Sequence, residues 1–319
     1  MGRAAKDRLD GVLVLDKPRG PTSHDVVAKL RRALGTGEIG HAGTLDPMAT
    51  GVLVVCVGEA TKLSPWLTAA DKAYEATIAL GAETDTLDAE GTVTKTSDVP
   101  RVVLEALDRI KSGKVHDHLA RAIAHEVARK AQVPPKVSAI RKDGVRAYDR
   151  ARREGEAMEE LAPREVRVHS IAPLDGGQNV DGRGGYLTVT CHVDKGYYVR
   201  ALARDLAAAL GTHGHLTALR RLRSGAFEVE EAMALDTPGD ELAARLIGLA
   251  RAATRSLPEV RLTEAGARDA RFGRVVRAED MSGGGVGPGA WLDVEGGLVA
   301  VGERLEAGGG RVLRGFGAV

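Results

Sequence analysis

The stretch His41-Ala42-Gly43-Thr44-Leu45-Asp46-Pro47-Met48-Ala49-Thr50-Gly51 concentrates the chemistry-bearing features of the chain. Pro47 fixes its own φ and restricts Asp46 before it. Gly43 and Gly51 permit tight bends on either side. The result is a loop that presents one carboxylate in a defined direction, as covalent work by a carboxylate requires. An Asp-Pro turn without chemistry has the same local sequence, so the loop alone does not decide.

Charge is distributed unevenly. Lys136 to Arg153 holds seven Lys/Arg, including Arg150, Arg152 and Arg153, against Asp143 and Asp149. Lys195 to Arg223 holds six, including Arg220 and Arg221, against Asp205. The whole chain of 319 residues carries a formal net charge of only +1, so any basic surface must be local. Either segment alone also fits a solvated face; together with the motifs that follow they read as phosphate-binding surfaces. His213-Gly214-His215 and His116-Asp117-His118 lack companion ligands at zinc-site spacing, and no metal is expected. Cys56 and Cys191 sit in apolar alternating runs and read as buried thiols in a reducing compartment. Met1 to Asp10 has no apolar signal-peptide core, and no apolar run reaches the ~20 residues of a membrane helix. A soluble, cytoplasmic protein is expected.

The elements that must position the loop follow from periodicity. Gly11 to Leu15 is a strand running into the turn at Asp16-Lys17-Pro18. Ser23 is placed to cap a helix with Val26, Val27, Leu30 and Leu34 inward and Gly35 as its stop. Gly37 to Gly51 reads as one glycine-punctuated loop, and Val52 to Val57 as a buried strand. Period two puts Tyr74, Ala76, Ile78 and Leu80 on one strand face, and Leu187, Val189, Cys191 and Val193 on another. Arg101 to Ala131 reads as helical, with a stripe of Val115, Leu119, Ile123 and Val127, and Pro134-Pro135 ends it. Arg200 falls in the first turn of a helix whose inward residues are Val199, Leu202, Leu206 and Leu210. There is no steady βαβ alternation, so the fold class is α+β. From about Leu257-Pro258 the texture shifts to glycine-rich segments between short apolar runs, a small β-rich domain. The expected organisation is therefore a domain over residues 1–256 and a second over 257–319.

The loop does not stand alone. Gly11-Val12-Leu13-Val14-Leu15-Asp16-Lys17-Pro18 precedes it; Gly58-Glu59-Ala60-Thr61-Lys62 and Asp71-Lys72-Ala73-Tyr74 follow. Lys195-Gly196-Tyr197-Tyr198-Val199-Arg200 and Leu219-Arg220-Arg221-Leu222 come later. These blocks, in this order across roughly residues 11 to 227, closely resemble the TruB family of pseudouridine synthases. The resemblance implies a pseudouridine synthase fold: a mixed, mainly antiparallel sheet with flanking helices, and a PUA-like C-terminal domain. It implies conversion of uridine 55 in the T-arm loop of tRNA to pseudouridine by base flipping, with Asp46 as nucleophile. It makes Arg200 the partner that holds the carboxylate ionised and oriented. It makes Tyr74 the residue that stacks on the flipped uracil and a candidate base for a C2′ proton. Tyr198 becomes a second substrate contact and Leu219 an apolar wall, although Leu219 alone, like Tyr74 on its strand face, fits a core position too. His41 is matched to the residue that replaces the extruded base, offsetting part of a few kcal/mol of unstacking. Lys17 and Pro18 are read as support for the site. Aromatics are only 3% of the chain, which leaves few other stacking candidates.

The reaction cuts the N1–C1′ bond and rejoins the base through C5, so no electrons are lost and no cofactor is expected. The resemblance assigns a helical RNA-gripping insertion to about residues 101–165. Here it departs from the pattern: Val137 stands where the family usually has Tyr, and the histidine-bearing stretch Val115 to Ala131 replaces a shorter approach to the prolines. A monomer acting on the T-arm stem-loop is expected. Two other readings share these motifs: the catalytic subunit of a guide-RNA ribonucleoprotein, and a tRNA-folding module without chemistry.

Overall fold

The computed structural model describes residues 8–136, 141–142, 145–146, 161–179, 184–306 and 308–317. They fall into two compact units, one of Met1–Pro47, Gly51–Ala70 and Arg223–Val319, the other of Met48–Thr50 and Asp71–Leu222. Strands and helices are mixed without a regular crossover pattern, and the α+β class expected from the sequence is the one observed. Among the described residues, no helix is long and apolar enough to cross a membrane.

In the first unit the strand Gly11–Lys17 runs antiparallel to Thr50–Val57, with Gly11 opposite Val57 and Lys17 opposite Gly51. Val12 to Leu15 and Val52 to Val57 are buried along their whole length. Each such side chain contributes roughly 1.5–3 kcal/mol. This pairing delivers Lys17 to the end of the glycine-bounded loop that carries Asp46. Met233–Ala234 adds in parallel beside Gly11–Lys17, so the sheet is mixed. The expected loop from Gly37 to Gly51 is in part regular: Ile39–Ala42 is a strand paired antiparallel to Thr50–Val57. A four-residue strand with glycine at its second position has too little periodicity to read from sequence.

The helix Ser23–Leu34 buries Val26, Val27, Leu30 and Leu34 and ends on Gly35 at φ 63°. Its cap is Thr22, not Ser23. The Thr22 hydroxyl accepts from Asp25 N, and the Asp25 carboxylate accepts from Thr22 N, a reciprocal box that satisfies two orphan donors. The Ser23 hydroxyl instead bonds the backbone of Leu45.

The C-terminal part of this unit is a five-stranded sheet ordered Met281–Gly283, Glu259–Leu262, Pro288–Leu292, Leu298–Arg304, Gly310–Gly315. Its centre is Trp291, fully buried. A Cβ at Gly302 would stand 2.3 Å from the Trp291 ring, which is why glycine occupies that position. Ala290, Val301 and Phe316 share one apolar cluster with Val12, Val14 and Val54.

In the second unit the strands Val168–Gln178, Gly185–Val193, Lys72–Leu80 and Gly214–Ser224 lie side by side in that order. The first three are antiparallel, with Cys191 opposite Tyr74 and Val193 opposite Lys72. Lys72, Tyr74, Ala76, Ile78 and Leu80 are all buried, as period two requires. Burial pushes the Cys191 thiol up to about 12, and that of Cys56 in the other unit up to about 11, so both stay protonated.

The helical stretch expected over Arg101 to Ala131 consists of two helices, Arg101–Ile110 and Asp117–Val127. Gly113, at φ 73°, reverses the chain between them. Val115, expected on the inward stripe, is 44% exposed. The inward residues of the second helix are Leu119, Ala122, Ile123 and Glu126, the three-four spacing of a true helical face.

Candidate active site

The carboxylate loop is fastened on both sides of Asp46. The Ser23 hydroxyl accepts from Leu45 N at 2.9 Å and donates to Leu45 O at 3.1 Å. The carbonyl of Pro47 accepts from Gly20 N at 2.9 Å and from Lys17 Nζ at 3.3 Å. Lys17 is fully buried and also donates to Pro18 O at 3.0 Å. Gly43 and Gly51 take φ values of 95° and 96°, where a side chain would be strained. Asp46 itself is half-buried between two immobilised neighbours. Such a frame leaves the carboxylate little freedom except about its own χ angles. His41 is half-buried on the Ile39–Ala42 strand, its ring meeting that of His24 edge-on at 5.5 Å.

In the second unit Arg200 opens the helix Val199–Ala209 and is 7% exposed. Its Nη1 donates to Thr86 O at 2.9 Å and stands 3.5 Å from the Asp88 carboxylate. Asp88 is buried too; its Oδ1 accepts from Thr86 Oγ1 at 2.6 Å and from Glu90 N at 3.1 Å. The turn that presents it is strained: Leu87 has φ 61°, unusual for a residue with a γ-branched side chain. The conformation is held because Leu87 is buried and its carbonyl accepts from Leu216 N. Sequence reading assigned Asp88 no role. It lies in an acidic stretch between two short strands, which looks like an ordinary solvated hairpin tip.

Tyr74 is 8% exposed on the strand Lys72–Leu80. Lys72, two residues earlier on the same face, is buried, and its ammonium is lowered to about 8, chiefly by desolvation and then by the Arg221 charge. Tyr198 is half-buried and is the N-cap residue of the Arg200 helix, which has no side-chain capping bond there. Leu219 is 8% exposed, and its carbonyl accepts from Thr50 Oγ1 at 3.4 Å. Arg220 is half-buried. Arg221 is 1% exposed, at odds with the expectation that it contacts phosphate. It alternates with Leu219 onto the inner face of its strand, which the count of charges ignored. Pro18 is exposed at the turn after Lys17. Arg150, Arg152 and Arg153 lie outside the described residues.

One unit thus carries a carboxylate in a loop fastened on both sides; the other, described by itself, carries a guanidinium beside a buried acid and a tyrosine on a strand. The sequence comparisons are specific. The TruB family pseudouridylate synthase N-terminal domain matches residues 31–199, and the tRNA pseudouridylate synthase B C-terminal domain matches residues 200–244. The tRNA pseudouridine synthase B of Thermobifida fusca is 46% identical over 286 residues, 86% of this chain and 89% of that one. That of Mycobacterium sp. (strain KMS) is 46% identical over 279 residues, 86% of each chain. Among solved structures, an H/ACA RNP bound to a substrate RNA containing 2′-deoxyuridine matches with a TM-score of 0.68, at 24% identity, over 97% of this chain and 85% of that one. At that identity the likeness speaks for the fold alone. With the family's N-terminal domain matched over more than half its length and close relatives covering most of it, this chain belongs to the TruB family of pseudouridine synthases.

Proposed function

We propose that this protein converts uridine 55 in the T-arm loop of tRNA to pseudouridine, with Asp46 as the nucleophile. The observation that carries the reading is the double fastening of the Asp46 loop, through Ser23 to Leu45 and through Lys17 and Gly20 to Pro47. A carboxylate that must form and release a covalent bond benefits from a fixed approach. The tRNA is supported by the relatives at 46% identity, which are named as tRNA pseudouridine synthases.

The reaction breaks N1–C1′ and forms C5–C1′; C5 loses a proton and N1 gains one. Asp46 attacks either C1′ or the pyrimidine ring, and the released face of the base turns before rejoining. Tyr74 packs on the flipped uracil, and its hydroxyl is the candidate to take a C2′ proton if a glycal forms. Arg200 serves as the cation for the nucleophile's carboxylate, and Tyr198 and Leu219 line the base. His41 fills the space that the flipped nucleotide leaves in the RNA loop. Arg150, Arg152, Arg153 and Arg220 contact phosphate, whereas the burial of Arg221 gives it no such role. Residues 1–256 act as the catalytic domain, with the RNA-gripping insertion over about 101–165, and residues 257–319 as a PUA-like domain. The protein works as a cytoplasmic monomer.

The test is purified protein alone with an unmodified tRNA transcript, scored for pseudouridine by position. Product at position 55 without any guide RNA is the expected result. Product only when a guide RNA is added would replace this reading with the ribonucleoprotein one.

A further inference from the structure

We infer that Gln132 is a positioning residue that fixes the backbone of Tyr198 and thereby the start of the Arg200 helix. Gln132 lies in the Ala131–Gln132 strand just after the Asp117–Val127 helix and is 1% exposed. Its Oε1 accepts from Tyr198 N at 2.9 Å, and its Nε2 donates to Tyr198 O at 3.3 Å. One primary amide thus makes the pair of bonds that a neighbouring strand would make. The partner is a residue 66 positions away that belongs to no strand.

The place of Tyr198 explains what this accomplishes. Tyr198 is the N-cap of the helix Val199–Ala209, with φ −103° and ψ 110°, and no side chain caps it. Its carbonyl accepts from Ala201 N and Leu202 N, both at 3.1 Å, so it is the first acceptor of the helix. Fixing that peptide sets the direction of the Tyr198 ring and of Arg200 two residues on. The preceding residue is held from the same segment: Tyr197 OH donates to Glu126 Oε1 at 2.9 Å. Glu126 is 1% exposed, and Arg129 Nε lies 2.8 Å from both of its oxygens. Burial and the Glu126 charge push the Tyr197 phenol well above its ordinary range, so it remains a donor. The stretch from Asp117 to Gln132 therefore grips Tyr197 by its side chain and Tyr198 by its backbone. Glutamine supplies both a donor and an acceptor at this reach without depending on pH; asparagine is one methylene shorter.

The inference rests on the proposed function for its catalytic readout but not for its structural one. Gln132→Glu keeps size and the acceptor. Ionised, it has no donor for Tyr198 O; protonated, it regains one. Single-turnover pseudouridine formation at saturating tRNA should fall about 100-fold in Gln132→Glu at pH 8. It should recover much of that loss at pH 6, relative to wild type at each pH, with tRNA affinity unchanged. Amide exchange at Tyr198, corrected for intrinsic rate, should speed up in Gln132→Ala, which removes the acceptor of that amide, at both pH values. Wild-type exchange at Tyr198 in Gln132→Ala would overturn the clamp. So would a rate loss in Gln132→Glu that is equal at both pH values and accompanied by faster exchange throughout the chain. Wild-type protein that forms no pseudouridine, with Tyr198 exchange still responding as stated, would overturn the functional reading and leave the clamp standing.

Discussion

Lys17, a fully buried lysine, donates from Nζ to the carbonyl of Pro47, the residue immediately after Asp46. A buried ammonium is costly unless its hydrogen bonds are made. Here they are spent on two backbone carbonyls at the mouth of the loop, Pro18 and Pro47. The burial is thus coupled to loop geometry.

Lys17→Met keeps the aliphatic stem and removes the donor. Gly20 N still holds Pro47 O, so the loop should loosen without collapsing. The single-turnover rate should fall by about tenfold or more, because small displacements of a reacting group are expensive. Affinity for tRNA should stay within about twofold. A wild-type rate would show that Lys17 contributes nothing to the loop's alignment.

Asp88→Asn preserves shape and removes the charge that faces Arg200. Breaking one side of a buried ion pair costs about 3 kcal/mol or more. Urea denaturation should register that loss, and the single-turnover rate should drop with tRNA binding retained. Unchanged stability and rate together would mean that the Arg200 guanidinium is oriented by other contacts.

What could be read from sequence depended on contiguity and phase. The Asp46 loop was legible because its proline and glycines are adjacent to the carboxylate. Asp88 was not, because its partner Arg200 is remote in sequence and the turn around Leu87 has no glycine to announce its left-handed residue. Arg221 was misjudged because charge was counted without strand phase; Leu219 two residues earlier already marks the inner face. The Arg101 to Ala131 stretch reads as helical, and the break inside it is hidden because a single glycine, Gly113, is a weak breaker until its φ is known. Gln132 drew no attention, since a lone amide gives no periodic signal.

Tyr74→Phe keeps the ring and removes the hydroxyl. If that oxygen takes the C2′ proton, single-turnover formation should fall by about 10²–10⁴-fold, the usual worth of general base catalysis. Binding should be unaffected, because the stacking surface remains. Normal turnover by this variant would exclude Tyr74 as the base.

Lys72 gives a pH-dependent stability. Its folded value is about 8, against 10.5 for the free side chain, with burial as the main cause. Between those values the unfolded chain binds the extra proton, so stability rises with pH across that window. Below about pH 8 the full cost, about 3 kcal/mol, is present. Lys72→Met removes the group. Its stability advantage over wild type should be largest at pH 7 and shrink steadily toward pH 10.5, as urea denaturation at several pH values would show. A difference that does not vary with pH would mean that the ammonium is solvated in the folded protein.

The central claim is that Asp46 forms the covalent bond. The direct measurement compares wild type with Asp46→Asn in single-turnover reactions on an unmodified tRNA transcript, read at position 55, with the dissociation constant measured in parallel. The amide cannot act as the nucleophile, so the variant should bind tRNA as tightly as wild type and form no detectable pseudouridine. Pseudouridine formation by Asp46→Asn at a rate near that of wild type would contradict the account.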